Sequence, residues 1–458
     1  MSYIPASIGT TNIKGGTGGL APNNTKRKFK MAKQTLADTI KWWQDARFGM
    51  FIHWGTYAMA ARHEWIRNYE QISDQDYQKY FDFFNPDLFA PKEWAAMARK
   101  AGMKYFVITT KHHEGFCLWD SKHTDYKATN TPCKKDLLKE IVAAFRAEGL
   151  KVGFYYSLID WHHPEFTVDK IHPQRESEEA RAKNKNRDMR KYAQYMRDQV
   201  TELLTDFGHI DILWFDFSYP GEDGKGREDW ESEKLVKLIR SLQPHVLVNN
   251  RLDLDVEPDF LTPEQYTPSA GLKKKDGSPM PWEGCQTFSG SWGYFRDETS
   301  WKSPEMLIQM LINHISRGGN LLMNVGPTAR GEFDYRAVTA LQTYADWMKY
   351  HSRAIYGCKE APEGFIAPED CRYTYNPETK CLYLHLFAWP FKAVHLPGLA
   401  GKVKYAQLLN DAGEISMREA SSDIHIGLNE KSPAKALTLN LPVIKPPVTV
   451  PVIELFMK

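Results

Sequence analysis

The chain has 458 residues, 42% of them hydrophobic, and a formal net charge of +2 at pH 7. That is enough apolar material for a sizeable core and too small a charge excess for a nucleic-acid or acidic-membrane partner. No apolar run reaches the roughly 18–20 residues of a membrane helix, so no membrane span is expected, and the six cysteines fit neither a zinc template nor a dense disulfide framework.

Residues 1–35 are polar and rich in Gly, Thr, Asn and Lys. They read as a disordered lead or tag. They lack the apolar centre of a signal peptide, so the chain is expected in the cytoplasm or as the mature form of a periplasmic or secreted protein. From residue 36 apolar strand-like runs alternate with longer amphipathic runs. The strand candidates are "RFGMFIHWG", "KYFVITTKHH", "KVGFYYSLIDW", "HIDILWFDF", "HVLVNNRL" and "NLLMNVGP". Each is nearly continuous in apolar residues and ends in polar or aromatic ones, as buried parallel strands do. Between them, "PKEWAAMARKAG" carries Pro91 in its first turn and ends at Gly102, and "DLLKEIVAAFRAEG" runs from an Asp136 N-cap to Gly149. "SPEMLIQMLINHISRGG" likewise starts at Ser303 and stops at Gly318 and Gly319. This order predicts a (β/α) TIM-like barrel over 36–357, with a doubly wound sheet as the alternative; no G-x-G-x-x-G follows the first strand. From Tyr373 onward the runs "CLYLHLF", "KAVHLP", "KVKYAQLL", "ALTLNL" and "VTVPVIELFMK" are short and separated by turn residues, predicting an antiparallel β-sandwich over 358–458.

A barrel builds its active site where strands end. The polar residues there are His53, then Glu64 and Trp65, then His112 and His113, then Tyr155, Tyr156 and Asp160. Trp214, Asp216, Arg251, Asp259, Glu264, Glu283 and Trp292 follow. Histidines, carboxylates and tryptophans in one cleft suit sugar hydrolysis, with paired carboxylates for the chemistry and aromatic faces for the ring. They also suit a metal-dependent hydrolase. Adjacent strand residues face opposite ways, so His112 and His113 share a cleft only if the strand breaks there. Asp216 lies between Phe215 and Phe217 in an apolar strand. A carboxylate there needs a partner or a task. It shares a face with Trp214 at period two, and Arg251 on the next strand is the available partner.

These motifs, with "HEWI", "EGFCLWDSKHTDY", "VNNR", "DFLTPEQY" and "SWGY", resemble the α-L-fucosidases of glycoside hydrolase family 29, in the same order from about Asp38 to Gly331. The resemblance implies a barrel followed by a β-sandwich, and an enzyme that releases terminal α-L-fucose from oligosaccharides or glycoconjugates with retention, with no metal and no cofactor. It assigns the nucleophile to Asp216 and substrate contacts to His53, Glu64, Trp65, His112, His113, Tyr156, Trp214, Arg251 and Trp292. Of the two tyrosines in "YYS", Tyr156 takes the substrate-binding assignment. Glu264 is the favoured acid/base, with Glu283 as the alternative. The chain departs from many relatives in carrying Phe217 and His63 where those have glycine. Linkage preference, aglycone and oligomeric state are not legible in it.

Overall fold

The computed structural model describes residues 34–419, 425–426, 430–431 and 436–458. The expected disordered lead lies outside the described residues, except for its last two positions. Seven strands form one parallel sheet: β1 (Phe48–Ile52), β2 (Tyr105–Lys111), β3 (Lys151–Ser157), β4 (Ile212–Asp216), β5 (Leu247–Val248), β6 (Glu283–Thr287) and β7 (Asn320–Val325). Their order is β5-β4-β3-β2-β1-β7-β6. The gap between β5 and β6 is bridged by residues 260–264, which run parallel to both: Asn249 pairs with Phe260, Leu261 with Trp282, and Glu264 with Cys285. The sheet thus curls into a TIM-like barrel, not a doubly wound sheet.

Six of the seven strands are the apolar runs of the sequence. The seventh, β6, reads "EGCQT" and has no apolar periodicity to reveal it. Its pairing with β7, from Glu283 opposite Asn320 to Thr287 opposite Asn324, makes it a strand.

Side chains alternate across the sheet as the pleat requires. Met50, Phe106, Ile108, Phe154, Tyr156, Leu213 and Phe215 pack outward against the helices. Phe51, Tyr105, Val107, Tyr155, Ile212, Trp214, Cys285 and Leu322 pack inward, and Trp43 and Ala46 from the helix Leu36–Ala46 join them. The surrounding helices begin and end where the sequence marks them. Asp136 accepts from the Lys139 amide at 2.9 Å and Ser303 from the Met306 amide at 3.3 Å, each covering an otherwise unpaired first-turn donor.

Beyond the helix Tyr335–His351 the chain turns antiparallel. One sheet pairs strands 403–408, 452–457, 381–386 and 371–376; the other pairs 393–396, 437–440 and 417–419. Leu382, Leu384, Leu396, Leu439 and Leu455 fill the space between them. The opposite face of the first sheet rests on the barrel's helices, where Trp347 donates its indole N–H to the Val450 carbonyl at 2.9 Å.

Candidate active site

The C-terminal ends of the strands converge on a small cavity. β1 delivers Phe51 and His53. β2 ends at Lys111, where its register against β3 shifts, and the chain breaks from the strand. That break lets both His112 and His113 face the cavity, their rings 4.0 Å apart. β3 supplies Tyr155, β4 supplies Trp214 and Asp216, and β6 supplies Cys285. Glu64, Trp65, Phe217, Glu264 and Trp292 complete the wall from the loops.

Asp216 occupies the end of β4 and is held by two donors. The Tyr155 hydroxyl reaches one carboxylate oxygen at 2.8 Å and the Arg251 guanidinium reaches the other at 2.7 Å. The second terminal nitrogen of Arg251 donates to Glu264 at 2.7 Å. One planar cation therefore ties the two carboxylates together, a role that a point-charge lysine does not fill. Arg251 is fixed in turn by Thr262, whose hydroxyl accepts from its Nε at 3.0 Å, and by the face of Trp214, 4.5 Å below the guanidinium carbon. Burial works against the charge on Arg251, but Asp216 and Glu264 outweigh it and hold the guanidinium above its ordinary range. Burial, then the charge of Asp216, raises the Tyr155 phenol well above its usual value, so it remains a donor.

The histidines are oriented from behind. His53 Nδ1 lies 2.7 Å from the Asn324 side-chain oxygen, and His113 Nδ1 lies 2.6 Å from the Ser157 hydroxyl. Burial, and next the neighbouring His112, push His53 and His113 well below the ordinary histidine range. Both are neutral at pH 7, and a neutral imidazole offers one donor and one acceptor, the pair that a hydroxyl group needs. Glu64 is buried, and its carboxylate accepts from the Gly293 amide at 2.8 Å. A side chain at residue 293 would come within 3.0 Å of the Glu64 Cβ and of the Tyr57 ring, so glycine lets the "SWGY" loop sit this close. Trp292 on that loop packs against His53 with ring centroids 5.1 Å apart.

Two sequence assignments are corrected. Tyr156 does not reach the cavity: it faces the helices and donates to Gln199 at 2.8 Å, while Tyr155 takes the inward position. The register explains this, because Tyr155 pairs with inward-facing Trp214 and Tyr156 with outward-facing Phe215. Glu283 does not reach it either. It opens β6 at the opposite end of the barrel interior, fully buried, with the Tyr105 hydroxyl and, at 3.3 Å, the Trp43 indole N–H donating to it. Burial lifts its carboxyl to about 7, and the donors from Tyr105 and Trp43 offset this only in part. The other assigned residues line the cavity, except Arg251, which stands behind Asp216 and Glu264. Phe51, Cys285 and Asn324 were not singled out. The signal for Phe51 was present, since it stands two residues before His53 on the same face.

Phe217, directly after Asp216, has φ of +74°. For a bulky L-residue this left-handed conformation costs about 1–2 kcal/mol. The glycine found there in many relatives incurs no such cost. His63 likewise has φ of +100°.

The family model described as "Alpha-L-fucosidase" matches residues 20–353. Plasma alpha-L-fucosidase of Rattus norvegicus is 30% identical over 403 residues, 81% of each chain. Among solved structures, alpha-L-fucosidase isoenzyme 1 from Paenibacillus thiaminolyticus superposes with a TM-score of 0.86 at 44% identity, covering 92% of this chain and 99% of that one. A GH29 alpha-L-fucosidase from Bacteroides thetaiotaomicron, a trapped covalent intermediate with 2-fluoro-fucosyl fluoride in a Glu-to-Gln variant, has a TM-score of 0.79 at 27% identity, covering 93% and 98%. The chain belongs to the α-L-fucosidases of glycoside hydrolase family 29, and it is a glycoside hydrolase.

Proposed function

We propose that the protein is a retaining exo-α-L-fucosidase that removes terminal α-L-fucose from oligosaccharides or glycoconjugates through a covalent fucosyl-enzyme intermediate. The observation that carries this reading is the pair Asp216 and Glu264 joined through Arg251, with Asp216 at the end of β4 and Glu264 at the exposed mouth. Residues 36–357 form the catalytic unit in this reading and 358–458 its sandwich. Retention requires one carboxylate to attack and a second to protonate, with the two roughly 5–5.5 Å apart.

Asp216 attacks the anomeric carbon. Tyr155 and Arg251 hold both of its oxygens, so its rotamer is set before substrate arrives. Glu264 is exposed at the cavity mouth. It leaves Arg251 to protonate the departing oxygen, then takes a proton from the water that releases fucose. Neutral His53 and His113, with His112, Glu64 and Trp65, bind the ring hydroxyls. The apolar wall of Phe51, Trp214 and Trp292 receives the C6 methyl. A methyl-sized recess discriminates by only about 1–3 kcal/mol, so slow turnover of the matching galactoside is expected. The test is Asp216→Ala with a chromogenic fucoside: turnover is lost, and azide restores it as the fucosyl azide of inverted configuration. Full activity in this variant would overturn the assignment.

A further inference from the structure

The cavity does not end at its wall. Trp65 lines it, and Trp65 is also the first member of an aromatic strip that leads out to solvent. Tyr69, one helical turn further on, stacks on Trp65 with centroids 6.1 Å apart and planes 27° from parallel, and it is 63% exposed. Phe217 leans on Trp65 from the other side at 5.0 Å and meets His113 edge-on at 5.2 Å. Buried Trp161 closes the rear of the group, 5.3 Å from Trp65.

Two of the fourteen described non-glycine residues with positive φ lie on the same strip. Phe217 and His63 both hold positive φ, and both bear on Trp65: Phe217 through its ring, His63 by accepting the Trp65 amide at 3.1 Å. The His63 ring lies 5.2 Å from that of Tyr69. Strained positions of this kind persist only where the surroundings over-determine them, and they collect at ligand clamps. Tyr69 leaves a broad aromatic face open beside the cavity, and such a face suits the apolar side of a sugar ring.

We infer that Tyr69 and Phe217 form a platform for the sugar unit to which the fucose is attached, with Trp65 as the joint between the two rings. The occupant is a neutral pyranoside: its apolar face suits aromatic rings, and it must lie where the strip leaves the cavity, because the fucosyl unit fills the cavity itself. The inference rests on the proposed activity. Tyr69, outside the cavity, acts on the leaving group alone, while Phe217 at the cavity wall lies where the two units meet.

The experiment compares two substrates on the intact enzyme. α-L-Fucosyl fluoride carries no sugar leaving group; a fucosylated lactose does. Tyr69→Ala is expected to lower kcat/KM for the fucosylated lactose about tenfold, the scale of one lost stacking contact, and to leave the fluoride within about twofold. Phe217→Gly is expected to lower the ratio of the two substrates in the same direction. Saturation-transfer NMR with lactose alone reads the platform without turnover: the signal is seen with the wild type and lost in Tyr69→Ala. An unchanged ratio in both variants, or a lactose signal that survives Tyr69→Ala, overturns the platform. A wild type that ignores the fluoride yet binds lactose through Tyr69 overturns the fucosidase reading and leaves the platform standing.

Discussion

Two glutamates at opposite ends of one barrel show how position decides chemistry. Glu264 stands at the C-terminal mouth, exposed and paired with Arg251. Glu283 stands at the start of β6, fully buried, among Tyr105, Trp43 and Trp214, with no cation beside it among the described residues. In the proposed mechanism the first hands a proton to the leaving group. The second is a buried hydrogen-bonding group, its carboxyl raised to about 7, that ties β6 to β2 and to the helix beneath the barrel. Both stand on the same stretch of chain, where the family resemblance favours Glu264 and keeps Glu283 as the alternative.

The largest expected effect falls outside that pair and sets its scale. Asp216→Ala should lower kcat by about 10⁴-fold or more, since the covalent step itself is lost. Glu264→Ala should lower kcat by about 10²–10⁴-fold on natural glycosides and far less on activated aryl fucosides, while Glu283→Gln stays within a few-fold of the wild type on both. The reverse pattern would exchange the two roles. Next, Tyr155→Phe removes a donor to the Asp216 carboxylate and should cost about 1.5–3 kcal/mol in kcat/KM. Tyr156→Phe should leave kcat/KM nearly unchanged and lower only the denaturation midpoint. Equal kinetic losses in both tyrosine variants would contradict the register assigned to β3.

The last effect is one of stability and not of rate. The Glu283 carboxyl is raised to about 7 in the fold, so its contribution is complete below the unfolded carboxyl pKa and is lost as pH rises through 7. The wild type should therefore lose stability relative to Glu283→Gln between about pH 4.5 and 7, by up to about 3 kcal/mol at 1.36 kcal/mol per unit. Chemical denaturation of both proteins across that range measures it; a pH-independent difference would mean that Glu283 is ionised in the fold.

Much of this was legible in the chain itself. The six apolar strands and the capped helices follow from periodicity and end signals, because burial on both faces of a parallel strand leaves a continuous apolar run. Asp216 stood out because a carboxylate between two phenylalanines is costly without a reason. Its partner Arg251 followed from strand order. The platform residue Phe217 was visible only as a departure from the usual glycine, and the φ of +74° explains why that departure matters.

Three things needed the tertiary structure. Strand β6 has no pattern of its own and exists because β7 and the segment 260–264 pair with it. The choice between Tyr155 and Tyr156 is a matter of register: neighbouring residues have the same composition and opposite faces, and only pairing with β4 selects one. The separation of Glu264 from Glu283 depends on where the chain crosses the barrel rim. Local sequence determines which residues want to be buried and which turn the chain. Which carboxylate meets Arg251 is set by contacts between segments far apart along it, and those contacts form only when the barrel closes.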